Sequence, residues 1–317
     1  MEKDTHLVIG GNGFLGSVLV KKLIKQGKTV KIIDKNNKKL NPKIKFLHRN
    51  LLDLSEKDLN FFKDVSLVYH LAAYQYHSKL PIFKQYESFY RNNVKGTERI
   101  IDLCKKSKIK KIIYVSTDMV YGLPKTIPIK EDHKTNPIGD YGKTKLIAEE
   151  LIKNSSLKYI ILRPRLIIGP GRLGVFKKLF SWIKNNKNIF LIGNGNNRYQ
   201  MISVYDCADA CILCAESKSE NKIYNLGSDN PPKVIEEINE VIKFAKKDSK
   251  IYRLNAKIVK LCLIILELFH ISPLKKEQYM IADKDYILDT SKIKKEIKWK
   301  PKFNDKDMLI SAYESFK

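Results

Sequence analysis

The run Gly10-Gly11-Asn12-Gly13-Phe14-Leu15-Gly16 follows a short apolar segment at 6–9 and opens a helical pattern, and Asp34 closes the next apolar segment eighteen residues after Gly16. Strand, glycine turn, helix, strand and acidic residue in that order predict a dinucleotide-binding βαβ unit. Glycine is required because the chain must turn tightly, admit a pyrophosphate close to its backbone and pack the helix against the strand. Phosphate charge then meets unpaired N–H groups at the helix N-terminus.

The 317 residues exceed one typical domain. Apolar runs rich in Val, Ile and Tyr recur at 7–9, 30–33, 44–47, 67–71, 112–115 and 159–162, separated by helical patterns that include 13–25, 86–106 and 141–153. This alternation predicts an α/β fold, a doubly wound parallel sheet of the Rossmann kind, covered on both faces. Beyond about 165 glycine and proline punctuate the chain. We therefore expect a dinucleotide-binding domain over 1–165, and a smaller substrate lobe over 166–317 with some segments returning to the sheet. Ligands of such sheets gather at the carboxyl ends of the strands.

Hydrophobic residues make up 43% of the chain, enough for a buried core, yet no stretch approaches the roughly 18 apolar residues of a membrane span. Met1-Glu2-Lys3-Asp4 leads straight into the first strand and leaves no room for a leader, so a cytoplasmic location is expected. The most apolar stretch, 258–271, is expected to be a core or lid helix. A membrane surface and a greasy substrate pocket are its alternatives.

The net charge of +26 raises nucleic-acid binding, but lysine is spread along the whole chain rather than clustered, and no nucleic-acid partner is expected. Cys207, Cys211 and Cys214 share a helical face without a Cys-x-x-Cys pair or a nearby histidine, which favours buried thiols over a metal site. The six histidines form no helical ligand pair, so no metal is expected.

Tyr141-Gly142-Lys143-Thr144-Lys145 is the second informative run, preceded by Ser116-Thr117-Asp118 at the end of a predicted strand. Tyr141 and Lys145 lie one helical turn apart. A nearby ammonium and a cationic nicotinamide ring both favour the phenolate, which would let Tyr141 exchange a proton with a substrate hydroxyl. Thr117 would hold the substrate oxygen.

Together these segments resemble the extended short-chain dehydrogenase/reductase family, in particular its NAD-dependent epimerase/dehydratase branch. Besides the glycine run, the likeness rests on His70-Leu71-Ala72-Ala73, Asn92-Asn93-Val94-Lys95-Gly96-Thr97, Val115–Gly122, Tyr141–Lys145, Leu162-Arg163-Pro164, Gly169-Pro170-Gly171 and Val204-Tyr205-Asp206. The resemblance implies a catalytic set of Thr117, Tyr141 and Lys145, with Asn93 ordering the site. It implies a cofactor cradle of Gly10, Gly13, Phe14, Leu15, Gly16, Asp34, Lys35, Asn50, Leu51, Leu71, Ala72, Ala73 and Pro164, joined by Tyr141 and Lys145. Asp34 would take the ribose hydroxyls and repel a 2′-phosphate, favouring NAD, while Lys35 beside it keeps NADP open. Tyr74, Asp118, Arg172 and Arg198 are candidates for the small-molecule substrate, the arginines for an anionic group.

Two departures bear on the reaction. Dehydratases of this branch carry Asp-Glu after the catalytic Thr, where this chain has Asp118-Met119, and methionine transfers no proton. Many nucleotide-sugar epimerases carry Arg-Tyr-Phe-Asn where this chain has Arg163-Pro164-Arg165-Leu166, which looks closer to 3β-hydroxysteroid dehydrogenases. The expected activity is hydride transfer between NAD and a secondary alcohol on a nucleotide sugar, as an epimerase or oxidoreductase. An apolar polycyclic or isoprenoid alcohol is the alternative substrate, and a non-catalytic NAD-binding regulator is the alternative from another class. Homodimers through a helix pair that includes 141–153 are usual in the resembling family.

Overall fold

The computed structural model describes residues 4–37, 44–76 and 84–316. Residues 1–3, on which the expectation of a cytoplasmic location drew, and His77 lie outside them. The first half of the chain runs β1 (Thr5–Ile9), α1 (Phe14–Lys25), β2 (Thr29–Asp34), β3 (Lys45–His48), α2 (Leu59–Phe62), β4 (Val65–His70), α3 (Gln85–Phe89), α4 (Gly96–Lys106), β5 (Lys111–Val115), α5 (Asp140–Lys153) and β6 (Lys158–Pro164). The second half continues with β7 (Leu166–Ile168), α6 (Phe176–Lys184), β8 (Ile189–Ile192), β9 (Met201–Ser203), α7 (Val204–Glu216), β10 (Lys222–Leu226), α8 (Val234–Ala245), β11 (Ile251–Leu254), α9 (Ala256–Leu268), α10 (Lys276–Tyr279), α11 (Ser291–Ile297) and α12 (Asp305–Glu314).

Strands whose residues are apolar on both faces need cover on both, and the sheet has it. Its order is β3-β2-β1-β4-β5-β6-β10, every pair parallel. Successive residues of β1 divide between the faces. Val8 packs with Leu19 of α1 and with Cys207 and Cys211 of α7. Leu7 and Ile9 pack on the other side with Ile100 of α4 and Ile152 of α5. Strand order reverses between β1 and β4, which opens a crevice at their carboxyl ends. A third core, built on Phe180, Ile238, Leu309 and Tyr313, joins α6, α8 and α12 beside that crevice.

Beside the six strands read from the apolar runs the sheet carries a seventh, β10, which comes from the second half of the chain and pairs with β6. Two local expectations change. The helix predicted over 86–106 is broken between α3 and α4 by a π-helical turn, Tyr90–Lys95. Such turns are found at functional sites. Here the turn carries Asn93, whose amide clamps the backbone of Tyr74 from both sides: Tyr74 N donates to Oδ1 at 2.7 Å and Nδ2 donates to Tyr74 O at 3.1 Å. The largest correction concerns 258–271. It is helical over α9, but Leu263 is its sole buried residue. It is neither a core helix nor part of the crevice wall.

Candidate active site

The glycine turn is shaped by close approach. Gly10 adopts φ +84°, and a Cβ there would lie 2.8 Å from the Ala72 backbone nitrogen. A Cβ on Gly16 would lie 2.1 Å from the Gly10 carbonyl oxygen, so only glycine lets α1 start this close to β1. No side chain caps α1, whose N-cap is Gly13. Its first N–H groups thus meet the crevice with no protein side chain in competition, as a pyrophosphate cradle needs. At the end of β2 the Asp34 carboxylate accepts from Asn36 N at 2.8 Å and Asn12 N at 2.9 Å, which fixes its oxygens at the crevice wall.

One cavity of about 1310 Å³ connects these groups to the reactive ones. Gly10, Gly13, Phe14, Leu15, Gly16, Asp34, Lys35, Asn50, Leu51, Leu71, Ala72, Ala73 and Pro164 line it, as do Thr117, Tyr141, Tyr74, Asp118 and Arg172. The Lys35 ammonium sits 5.5 Å from the centre of the Tyr74 ring. Asn50 caps the turn that carries Leu51, accepting from Leu52 N at 3.2 Å.

Tyr141 enters from the first turn of α5, and its hydroxyl accepts from Gln75 Nε2 at 3.3 Å. Lys145 stands behind the cavity wall, its Nζ donating to Val115 O at 2.8 Å and lying 4.0 Å from the centre of the Tyr114 ring. Burial pulls the Lys145 ammonium down to about 7, with the Glu149 carboxylate opposing. Burial pushes the Tyr141 phenol above its ordinary value, against the pull of the Arg172 guanidinium. The protein's own groups therefore favour the phenol, whereas the phenolate expectation drew also on a cationic nicotinamide ring. The reason is desolvation, which outweighs the charges the chain supplies. A positive charge in the cofactor crevice would push the other way.

Asp118 lines the cavity with its carboxylate held by the protein: it accepts from Arg165 Nη1 at 2.6 Å and from Thr117 Oγ1 at 3.2 Å. Arg165 lies between the rings of Tyr199 and Tyr286, 4.0 and 4.3 Å from their centres. The pair thus sets the position of Thr117. Arg198 is excluded from the cavity, because Asn197 and Tyr199 point into it and the intervening residue of an extended chain points away. Asn93 lies behind the wall, where Nδ2 also donates to Thr144 Oγ1 of α5 at 3.2 Å. It acts through Tyr74 and α5 rather than on a ligand.

Sequence reasoning missed Gln75, which bonds both the Tyr141 hydroxyl and the Arg172 guanidinium. The rule of inspecting strand ends reached Tyr74 and stopped one residue short. It also missed Glu277, buried at the cavity wall and pushed up to about 7 by burial, for which the sequence holds no local signal. A second buried network backs the site: Arg163 donates to Glu149 through Nη2 at 2.6 Å and Nε at 3.1 Å, and Ser116 donates to the same carboxylate.

The family model described as NAD dependent epimerase/dehydratase matches residues 6–227, from β1 through β10. The chain belongs to the NAD-dependent epimerase/dehydratase family. It is 32% identical to the uncharacterized protein y4nG of Sinorhizobium fredii over 314 residues, covering 98% of this chain and 78% of that protein. A putative UDP-glucose 4-epimerase of Methanocaldococcus jannaschii is 32% identical over 254 residues, covering 75% of this chain and 81% of that one. Among solved structures, UDP-glucuronic acid 4-epimerase from Bacillus cereus in complex with NAD superposes with a TM-score of 0.79 at 24% identity, over 98% of each chain. That likeness shows the fold. This family member is an NAD-dependent enzyme of the extended short-chain dehydrogenase/reductase type, and the glycine cradle with Asp34 fits the cofactor.

Proposed function

We propose that the protein epimerises a nucleotide-linked sugar at a secondary alcohol. The observation that carries this is the single cavity of about 1310 Å³ running from the glycine cradle past Thr117 and Tyr141 to Arg172, Lys177 and Lys178. Drug-sized sites occupy roughly 300–1,000 Å³, so there is room for a dinucleotide and a second ligand. The basic residues at its far end suit a diphosphate.

Bound NAD supplies a hydride acceptor that can return the hydride. Tyr141 holds, at its phenolic oxygen, the proton exchanged with the substrate hydroxyl, and Thr117 orients that hydroxyl. Lys145, fixed by the Val115 carbonyl, holds its amino group behind the cavity wall, and Gln75 ties Tyr141 to Arg172. In this reading residues 1–165 hold cofactor and reactive groups, 166–317 form the substrate lobe, and the enzyme works in the cytoplasm as a homodimer through the helix pair that includes α5.

The sugar reading is favoured over an apolar polycyclic alcohol by α9, since none of its residues lines the cavity among those described. Incubation with UDP- and dTDP-linked hexoses, followed by NMR of the anomeric signals, tests the proposal. Epimer formation without net NADH is the expected result. Stoichiometric NADH release, or turnover of apolar alcohols alone, would overturn it.

A further inference from the structure

α9 is built inside out. Two of its three charged residues face the protein: Lys260 Nζ donates to Met280 O at 3.0 Å and pairs with Asp283, and Glu267 Oε2 accepts from the Tyr279 hydroxyl at 2.8 Å. The outward face carries Ile258, Leu261, Cys262, Ile265, Leu268 and Phe269, spaced i, i+3, i+4, i+7, i+10 and i+11. Ile258, Leu268 and Phe269 are 62%, 74% and 69% exposed. A helix that faces water normally shows it the charged side; this one shows a continuous apolar stripe.

The rim of the stripe is cationic. Arg253 and Lys257 are exposed at its start, and Lys276 is exposed beyond its end. The nearby carboxylates of Glu267 and Asp283 are already engaged. Two copies meeting through this face would bring like-charged rims together on chains of net charge +26. An anionic surface complements both features.

We infer that α9 docks the protein on an anionic lipid surface, lying in the headgroup plane with its apolar stripe buried and its rim cations on lipid phosphates. No helix among the described residues is long and apolar enough to cross a membrane, so the contact is peripheral. The chain leaving α9 reaches the cavity wall at Pro273 and Leu274, so docking holds the cavity rim near the surface.

The test is flotation of the full-length protein with vesicles of phosphatidylcholine alone or mixed with phosphatidylglycerol. Cys262 is exposed while the other four cysteines are buried, so it takes an environment-sensitive fluorophore within the stripe. Expected are flotation with the anionic vesicles and a blue shift of the label on adding them. The triple variant Ile258→Ser, Leu261→Ser, Ile265→Ser should weaken vesicle binding by at least about tenfold, with NAD binding and Tm unchanged. Absence of flotation with anionic vesicles, an unshifted label, equal binding by the triple variant, or a dimer that the variant dissolves would each overturn the inference.

Discussion

Helices α5 and α9 are close in length, and each turns charged residues inward, yet they differ in what meets those charges. α5 buries Tyr141, Lys145 and Glu149 against the carboxyl ends of β5 and β6, where Val115 O, Ser116 and Arg163 receive them. α9 is the more apolar of the two, yet it buries only Leu263 and leans on α10 through Lys260 and Glu267. Burial here follows the partner available and not the apolar content of the helix. α5 uses its packing to hold a reactive site still; α9 leaves its apolar side for a surface outside the chain.

The sharpest way to break the comparison lies on α5. Tyr141→Phe keeps the ring and its packing but removes the proton, so turnover should fall by on the order of 10²–10⁴ with NAD binding retained. Unchanged turnover would remove Tyr141 from the chemistry. Next in size, Glu149→Ala leaves Arg163 buried without its carboxylate and should cost about 3–5 kcal/mol in urea unfolding. A loss under about 1 kcal/mol, the range of exposed pairs, would show that the pair is not the anchor it resembles.

On α9 the contrast is between neighbours. Leu263→Ala should cost about 2–3 kcal/mol, as for a buried leucine, whereas Ile265→Ser should change stability by less than about 0.5 kcal/mol. Equal costs would mean that the outward face is packed in solution.

Lys145 gives a pH signature between these sizes. Its folded-state value, about 7, lies below its ordinary 10.5. The unfolded chain therefore binds more protons between those values, and stability rises with pH across that window. Relative to Lys145→Met, wild type should gain at most about 1.4 kcal/mol per pH unit from pH 7 upward, read by urea unfolding at several pH values. A gap independent of pH would place the ammonium in a wetter setting than its burial indicates.

Much of the cofactor half was legible because its constraints are local. Gly10 and Gly16 announce a turn that no other residue can make, and Asp34 follows at the end of the next strand. The alternation of apolar runs specified six parallel strands correctly but did not say which later segment returns to the sheet, since a strand from far along the chain, such as β10, looks like any other short apolar run. Arg198 was misread for a related reason. A charged residue near a strand end advertises chemistry, but only its neighbours decide whether it meets a ligand, an internal partner such as Arg165, or solvent.

By itself, the sequence determined six strands of the sheet, the glycine turn and the helix that carries Tyr141 and Lys145 one turn apart, because periodicity and local spacing act over a few turns of chain. Only the tertiary structure decided the tie from Gln75 to Tyr141 and Arg172, the burial of Glu277 at the cavity wall, and the outward turn of α9. Those depend on contacts between segments tens to hundreds of residues apart, where packing and desolvation, not local preference, set which side of a residue is buried.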